Sequence, residues 1–155
     1  MNEEHGLRRG LTNYGDRDFA AYLRRSFAHS MGLSREMLEK PIIGIAMTPS
    51  GFNNCHRMMP DLVDTVSHGV LAAGALPRPF PTTSLGEVFL SPTSMVYRNL
   101  MSMDTEEMIR AQPMDAVVLI GGCDKTVPAQ LMGAASADVP SIQLVTGPMS
   151  TGRHR

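Results

Sequence analysis

Cys123, Asp124, Lys125 and Thr126 put a thiol, a carboxylate, an amine and a hydroxyl in a row. A thiolate is a soft ligand that suits iron–sulfur clusters or zinc, and a carboxylate is a hard one that suits magnesium or manganese. The other cysteine of the chain, Cys55, stands in a polar stretch with Asn53, Asn54 and His56. A third polar stretch, residues 81–87, ends on Glu87. Several chemistries are open to such a set. The thiols could be metal ligands or a redox pair. Cys123 could be a nucleophile whose pKa is lowered by a helix N-terminus and by Lys125. In the bland alternative the thiols are structural, Glu87 is a solvated acid, Asp124 stabilises a helix N-terminus and Lys125 is a surface cation. His56 could activate the adjacent thiol, but side chains of neighbouring residues diverge. The cysteines lack the CxxC spacing of a zinc site. GGCDKT lacks the adjacent Gly-Lys of a phosphate-binding loop.

The elements around these residues follow from apolar periodicity. Residues 42–47 (IIGIAM) and 116–120 (AVVLI) are apolar runs of strand length. Residues 141–145 form another strand, and 76–80 a further one that Pro77 and Pro79 place at a sheet edge. Helices are expected over 16–31, where Phe19, Tyr22, Leu23 and Phe27 recur at helical spacing, and in a short turn capped by Ser34. Another runs from Pro60 to Gly74. Residues 92–103 read as a helix with Tyr97, Leu100 and Met101 inward, and Asp104 with Glu107 as the capping box of a separate helix to about Ala111. Pro128 is expected to open the helix after the third strand. Residues 1–15 read as a loose arm. The order β-α-β-α-β-α-β with crossover-length connections predicts an α/β fold: a largely parallel sheet with helices on both faces. In such sheets ligands bind beyond the carboxyl ends of the strands. The loops carrying Cys55, Glu87 and Cys123–Asp124–Lys125 would then share one edge. That placement weakens the structural reading of the thiols and brings the metal or redox reading level with it.

Bulk properties exclude other classes. The 155 residues are 43% hydrophobic and 19% charged, with a formal net charge of −1. No excess of positive charge points to nucleic acid. No apolar run approaches the roughly 20 residues that cross a bilayer. The first 15 residues are polar and lack the apolar core of a signal peptide, which points to the cytoplasm. A reducing compartment also disfavours a disulfide between Cys55 and Cys123.

GGCDKTVPAQLMGAAS, with FNNCH and FPTTSLGE upstream, resembles the dihydroxy-acid and sugar-acid dehydratase family, from about Gly10 onward. The Ser-Leu-Gly-Glu form of the second block looks more like the sugar-acid branch than the branched-chain amino acid branch. The resemblance implies a hydro-lyase converting a 2,3-dihydroxy acid, an aldonate such as arabinonate, xylonate or a hexonate, to a 2-keto-3-deoxy acid. It implies an iron–sulfur cluster, 2Fe–2S in the sugar-acid branch and 4Fe–4S as the alternative, with Cys55 and Cys123 as two of its ligands. It also implies magnesium (Mg2+) held by Glu87, Asp124 and Lys125, the last as a carbamate. The full-length form would be a homo-oligomer acting on a small molecule.

The chain departs from the family pattern. It has two cysteines where the cluster takes three, and Gly51 stands where an acidic residue is common. The third cysteine, a further acidic ligand and the catalytic serine base are expected beyond Arg155. The expectation is therefore the N-terminal part of a two-domain enzyme, inactive by itself. Residues 1–40 would be an arm with helices, and 41–155 part of the cluster- and magnesium-binding domain. The alternatives are a non-catalytic α/β module and a dihydroxy-acid dehydratase of branched-chain amino acid synthesis.

Overall fold

A computed structural model describes residues 4–147 and 152–153. Strands β1 (Ile42–Met47), β2 (Leu76–Pro81), β3 (Ala116–Gly121) and β4 (Ser141–Val145) form one sheet in the order β2-β1-β3-β4. Every pairing is parallel, with Ile45 opposite Val118 and Val118 opposite Ile142. The proline-rich β2 lies at an edge, where missing N–H groups cost least. Strand alternation sends Ile42 and Ala46 to one face with Phe80, Val117 and Leu119, and Ile45 and Ile120 to the other.

Among the described residues five α-helices complete the frame: α1 (Arg17–Ser30), α2 (Arg35–Leu38), α3 (Met59–Ala72), α4 (Ser94–Ala111) and α5 (Cys123–Ala137). On one face α3 buries Met59 and Val63 against Ile45 and Ile120. On the other, α5 lays Ala134 and Ala137 on the sheet, and Ile109 of α4 joins the same core. The expected helices on both faces are therefore present. The α4–α5 crossing is close: a Cβ on Gly133 would lie 2.6 Å from the Ser102 carbonyl oxygen and 2.8 Å from the Thr105 Cβ. No helix among the described residues is long and apolar enough to cross a membrane.

Several local expectations are corrected. Residues 94–111 form one helix, not two. Nothing between Met103 and Asp104 breaks it, and its buried side chains Met101, Ser102, Thr105 and Ile109 run on as one stripe. Asp104 caps nothing. Its carboxylate accepts hydrogen bonds from the Thr83 N–H at 2.6 Å and the Thr83 hydroxyl at 2.8 Å, tying down the loop after β2. Asp104→Ala would strand both donors, and a loss of about 1–3 kcal/mol is expected in urea unfolding. An unchanged midpoint would show that this contact does not hold the loop.

Helix α5 starts at Cys123, and Pro128 lies inside it. Pro128 has no N–H to give the carbonyl four residues back, a loss of one bond. Burial of Thr126, Ala129, Gln130, Gly133, Ala134 and Ala137 along one stripe offsets it. The helix over 16–31 forms as expected, capped by Asp16. Its aromatic residues Phe19, Tyr22 and Phe27 are exposed, however, and the buried positions are the smaller Ala20 and Ala28. Leu100 likewise faces outward while Met101 is buried. The N-terminal stretch is tethered rather than loose. The Gly6 N–H and the Ile42 N–H both donate to Asp115 at 2.8 Å, and Arg9 donates to the Met114 carbonyl at 2.7 Å. Of the polar tail at 151–155, residues 151, 154 and 155 lie outside the described residues.

Candidate active site

Parallel strands deliver their C-terminal loops to one edge, and the chemistry-bearing residues collect there. The loop after β1 makes a short 3-10 turn, Asn54–His56. It reads as polar but is deeply packed: Asn53 is 3% exposed and His56 2%. The Asn53 side-chain oxygen accepts from the Cys55 N–H at 2.9 Å and from the Cys123 thiol at 3.5 Å. Its amide nitrogen donates to the Leu85 carbonyl at 2.6 Å. One asparagine thus links the loops after β1, β2 and β3.

The two thiols are neighbours, and both are free. Burial, followed by the adjoining Cys55 thiol, pushes the Cys123 pKa up to about 12. A raised pKa is the reverse of what a thiol nucleophile needs and runs against the activated-thiolate reading of Cys123. It is compatible with a metal ligand, because metal binding displaces the thiol proton. Cys123 also sits at φ 72, in the left-handed region uncommon for side-chain-bearing residues.

One residue further on, the side chains turn to hard chemistry. The Lys125 Nζ donates to Asp124 Oδ2 at 2.5 Å and to Glu87 Oε1 at 2.7 Å. The lysine side chain is 12% exposed and Asp124 64%, so the cation is covered while the triad opens to solvent through the carboxylates. Asp124, in contact with Glu87 and Lys125, has its carboxyl held below the ordinary carboxylate range. Lys125 is raised by Asp124 and then by Glu87, which keeps it an ammonium. Ser94, the first residue of α4, reaches Glu87 Oε1 at 3.4 Å. The oxygens of Glu87 and Asp124 thus converge on a single positive charge.

Residues 40–155 match the family described as "Dihydroxy-acid/6-phosphogluconate dehydratase N-terminal". The chain belongs to this family. It is 44% identical over 161 residues to the 6-deoxy-6-sulfo-D-gluconate dehydratase of Pseudomonas putida, covering 100% of this chain and 28% of that protein. It is 46% identical to the L-arabonate dehydratase of Azospirillum brasilense, over 90% of this chain and 24% of that one. Against the dihydroxy-acid dehydratase of Halothermothrix orenii the identity is 35%, over 84% of this chain and 25% of the relative. The chain thus spans about a quarter of the length of these dehydratases.

The fold brings all five residues singled out in this dehydratase-family chain to one edge, as a thiol pair and an adjoining carboxylate–lysine triad. Among the described residues no three His, Cys, Asp or Glu side chains gather as a metal centre would need. Sequence reasoning missed the supports. Besides Asn53, the Thr146 hydroxyl donates to the Cys55 carbonyl at 2.9 Å, which adds the loop after β4. The only signal for such contacts was the glycines at 121, 122 and 147, which permit close approach.

Proposed function

We propose that this chain is the N-terminal part of a hydro-lyase that dehydrates a 2,3-dihydroxy acid, an aldonate, to a 2-keto-3-deoxy acid. One observation carries the reading: on the first turn of α5, consecutive residues enter a soft pair, Cys55–Cys123, and a hard triad, Glu87–Asp124–Lys125. The donor sets suit the groups the family uses. Two thiols on facing loops offer part of a cluster site, and two carboxylates already gathered round one cation offer part of a magnesium site. When bound, the cluster would supply a Lewis-acidic iron to the departing hydroxyl, and magnesium would offset charge building beside the substrate carboxylate.

Within this chain, Cys55 and Cys123 would hold the cluster side, and Glu87 and Asp124 the magnesium side. Lys125 at present occupies the space between the carboxylates as an ammonium. As a carbamate, formed from the neutral amine and carbon dioxide with loss of a proton, it would turn the triad into an all-oxygen anionic set. The higher identity to sugar-acid dehydratases, 44% and 46% against 35%, favours an aldonate over a branched-chain dihydroxy acid. Anaerobic purification with iron supplied should give a brown protein containing iron and sulfide. A colourless, stable protein with both thiols titratable would instead support the non-catalytic module.

A further inference from the structure

We propose that His56 is a positioning residue for the thiol pair, holding the Gly122–Cys123 peptide so that Cys123 faces Cys55. The proposal rests on reading the two cysteines as ligands of one soft-metal centre.

The Gly122 N–H lies at the start of α5, where backbone N–H groups have no partner within the helix. Gly122 is the N-cap residue and has no side chain to serve as a cap. It cannot gain one, because a Cβ there would lie 2.7 Å from both the carbonyl and the hydroxyl oxygens of Thr146. The acceptor therefore comes from another loop: the Gly122 N–H donates to His56 Nε2 at 2.9 Å. An N–H can only donate, and at 2.9 Å it lies nearer Nε2 than the Gly122 carbonyl oxygen does at 3.2 Å, which assigns the lone pair to Nε2 and the ring proton to Nδ1. Nδ1 donates to Ser84 Oγ at 3.0 Å, and the Ser84 hydroxyl in turn donates to the Thr48 carbonyl at 3.0 Å. Every donor in this relay has an acceptor, which fixes both the tautomer and the ring plane. His56 follows Cys55 in the chain and grips the residue before Cys123. It is thus a direct polar link, beside Asn53, between the segments carrying the two thiols, and it acts where Cys123 is held at φ 72.

The test is a Cd2+ titration of the metal-free, reduced full chain, read from thiolate-to-cadmium charge-transfer absorption, with thermal unfolding measured in parallel. Loss of such a supporting contact lowers metal affinity about 10–100-fold. His56→Leu removes the acceptor and should show that loss. His56→Gln places its amide oxygen near the Nε2 position and should retain affinity. His56→Asn, whose shorter amide mimics only Nδ1, should fall with the leucine variant. If His56 were a structural filler only, affinity would follow the unfolding midpoint rather than the reach of the acceptor. Equal Cd2+ affinity in His56→Asn and His56→Gln would overturn the proposal, as would a wild-type chain that binds no Cd2+. That comparison stands even where the leucine variant does not fold. If this Cd2+ ranking holds while the full-length enzyme assembles no iron–sulfur cluster, the dehydratase reading is sunk and the role of His56 is left intact.

Discussion

Cys123→Ala is expected to abolish iron and sulfide uptake in anaerobic reconstitution, while Met31→Ala, an exposed change at the end of α1, should leave uptake at the wild-type level. The expectation follows from the donor set. Cys55 and Cys123 are the only cysteines of the chain, and Asn53 and the facing loops bring them together. Alanine removes the soft ligand and puts no oxygen in its place. It also tolerates the φ of 72 no worse than cysteine does, so the loss is chemical rather than conformational. Iron content and visible absorption are the readouts, and retention of both in Cys123→Ala would remove this residue from the site.

Gly147→Ala should be the most damaging single methyl group near the site. Gly147 has φ +67, and a Cβ there would lie 2.5 Å from both the Cys55 Cα and its carbonyl oxygen. The left-handed backbone costs a side-chain-bearing residue roughly 1–2 kcal/mol, and overpacking costs roughly 1–3 kcal/mol more. The sum, about 2–5 kcal/mol, corresponds to a fall of about 4–20 °C in Tm for a domain of this size. Gly10→Ala is the control, since Gly10 has φ +56 but open space where the Cβ would go. It should lose only the backbone share. Equal effects at the two positions would mean that the loop after β4 does not press on Cys55.

Much of the scaffold was legible because its signals are local. The apolar runs of β1 and β3, the prolines that send β2 to an edge, and the caps Asp16 and Ser34 each act within a few residues. Crossover-length connections then demand a parallel sheet, and a parallel sheet puts the loops of Cys55, Glu87 and Cys123 on one edge. The misreadings came where burial overrode a local sign. Pro128 marks a helix start in isolation, but the buried stripe of α5 carries the helix back to Cys123. Asp104 and Glu107 match a capping box, yet Thr83 recruits the aspartate and α4 runs straight through.

By itself, then, the sequence determined the α/β class and the parallel sheet, and it placed soft thiols and hard carboxylates in the loops after the strands, because residue type and periodicity specify these without reference to distant partners. Only the tertiary structure decided how the donors meet. It made Cys55 and Cys123 neighbours, closed Lys125 between Glu87 and Asp124, and buried Asn53 and His56 as the ties among the loops. A polar residue in a loop has the same sequence signature whether it faces water or anchors the site. What separates the two is whether another loop offers it a partner, and that contact exists only once the strands have aligned.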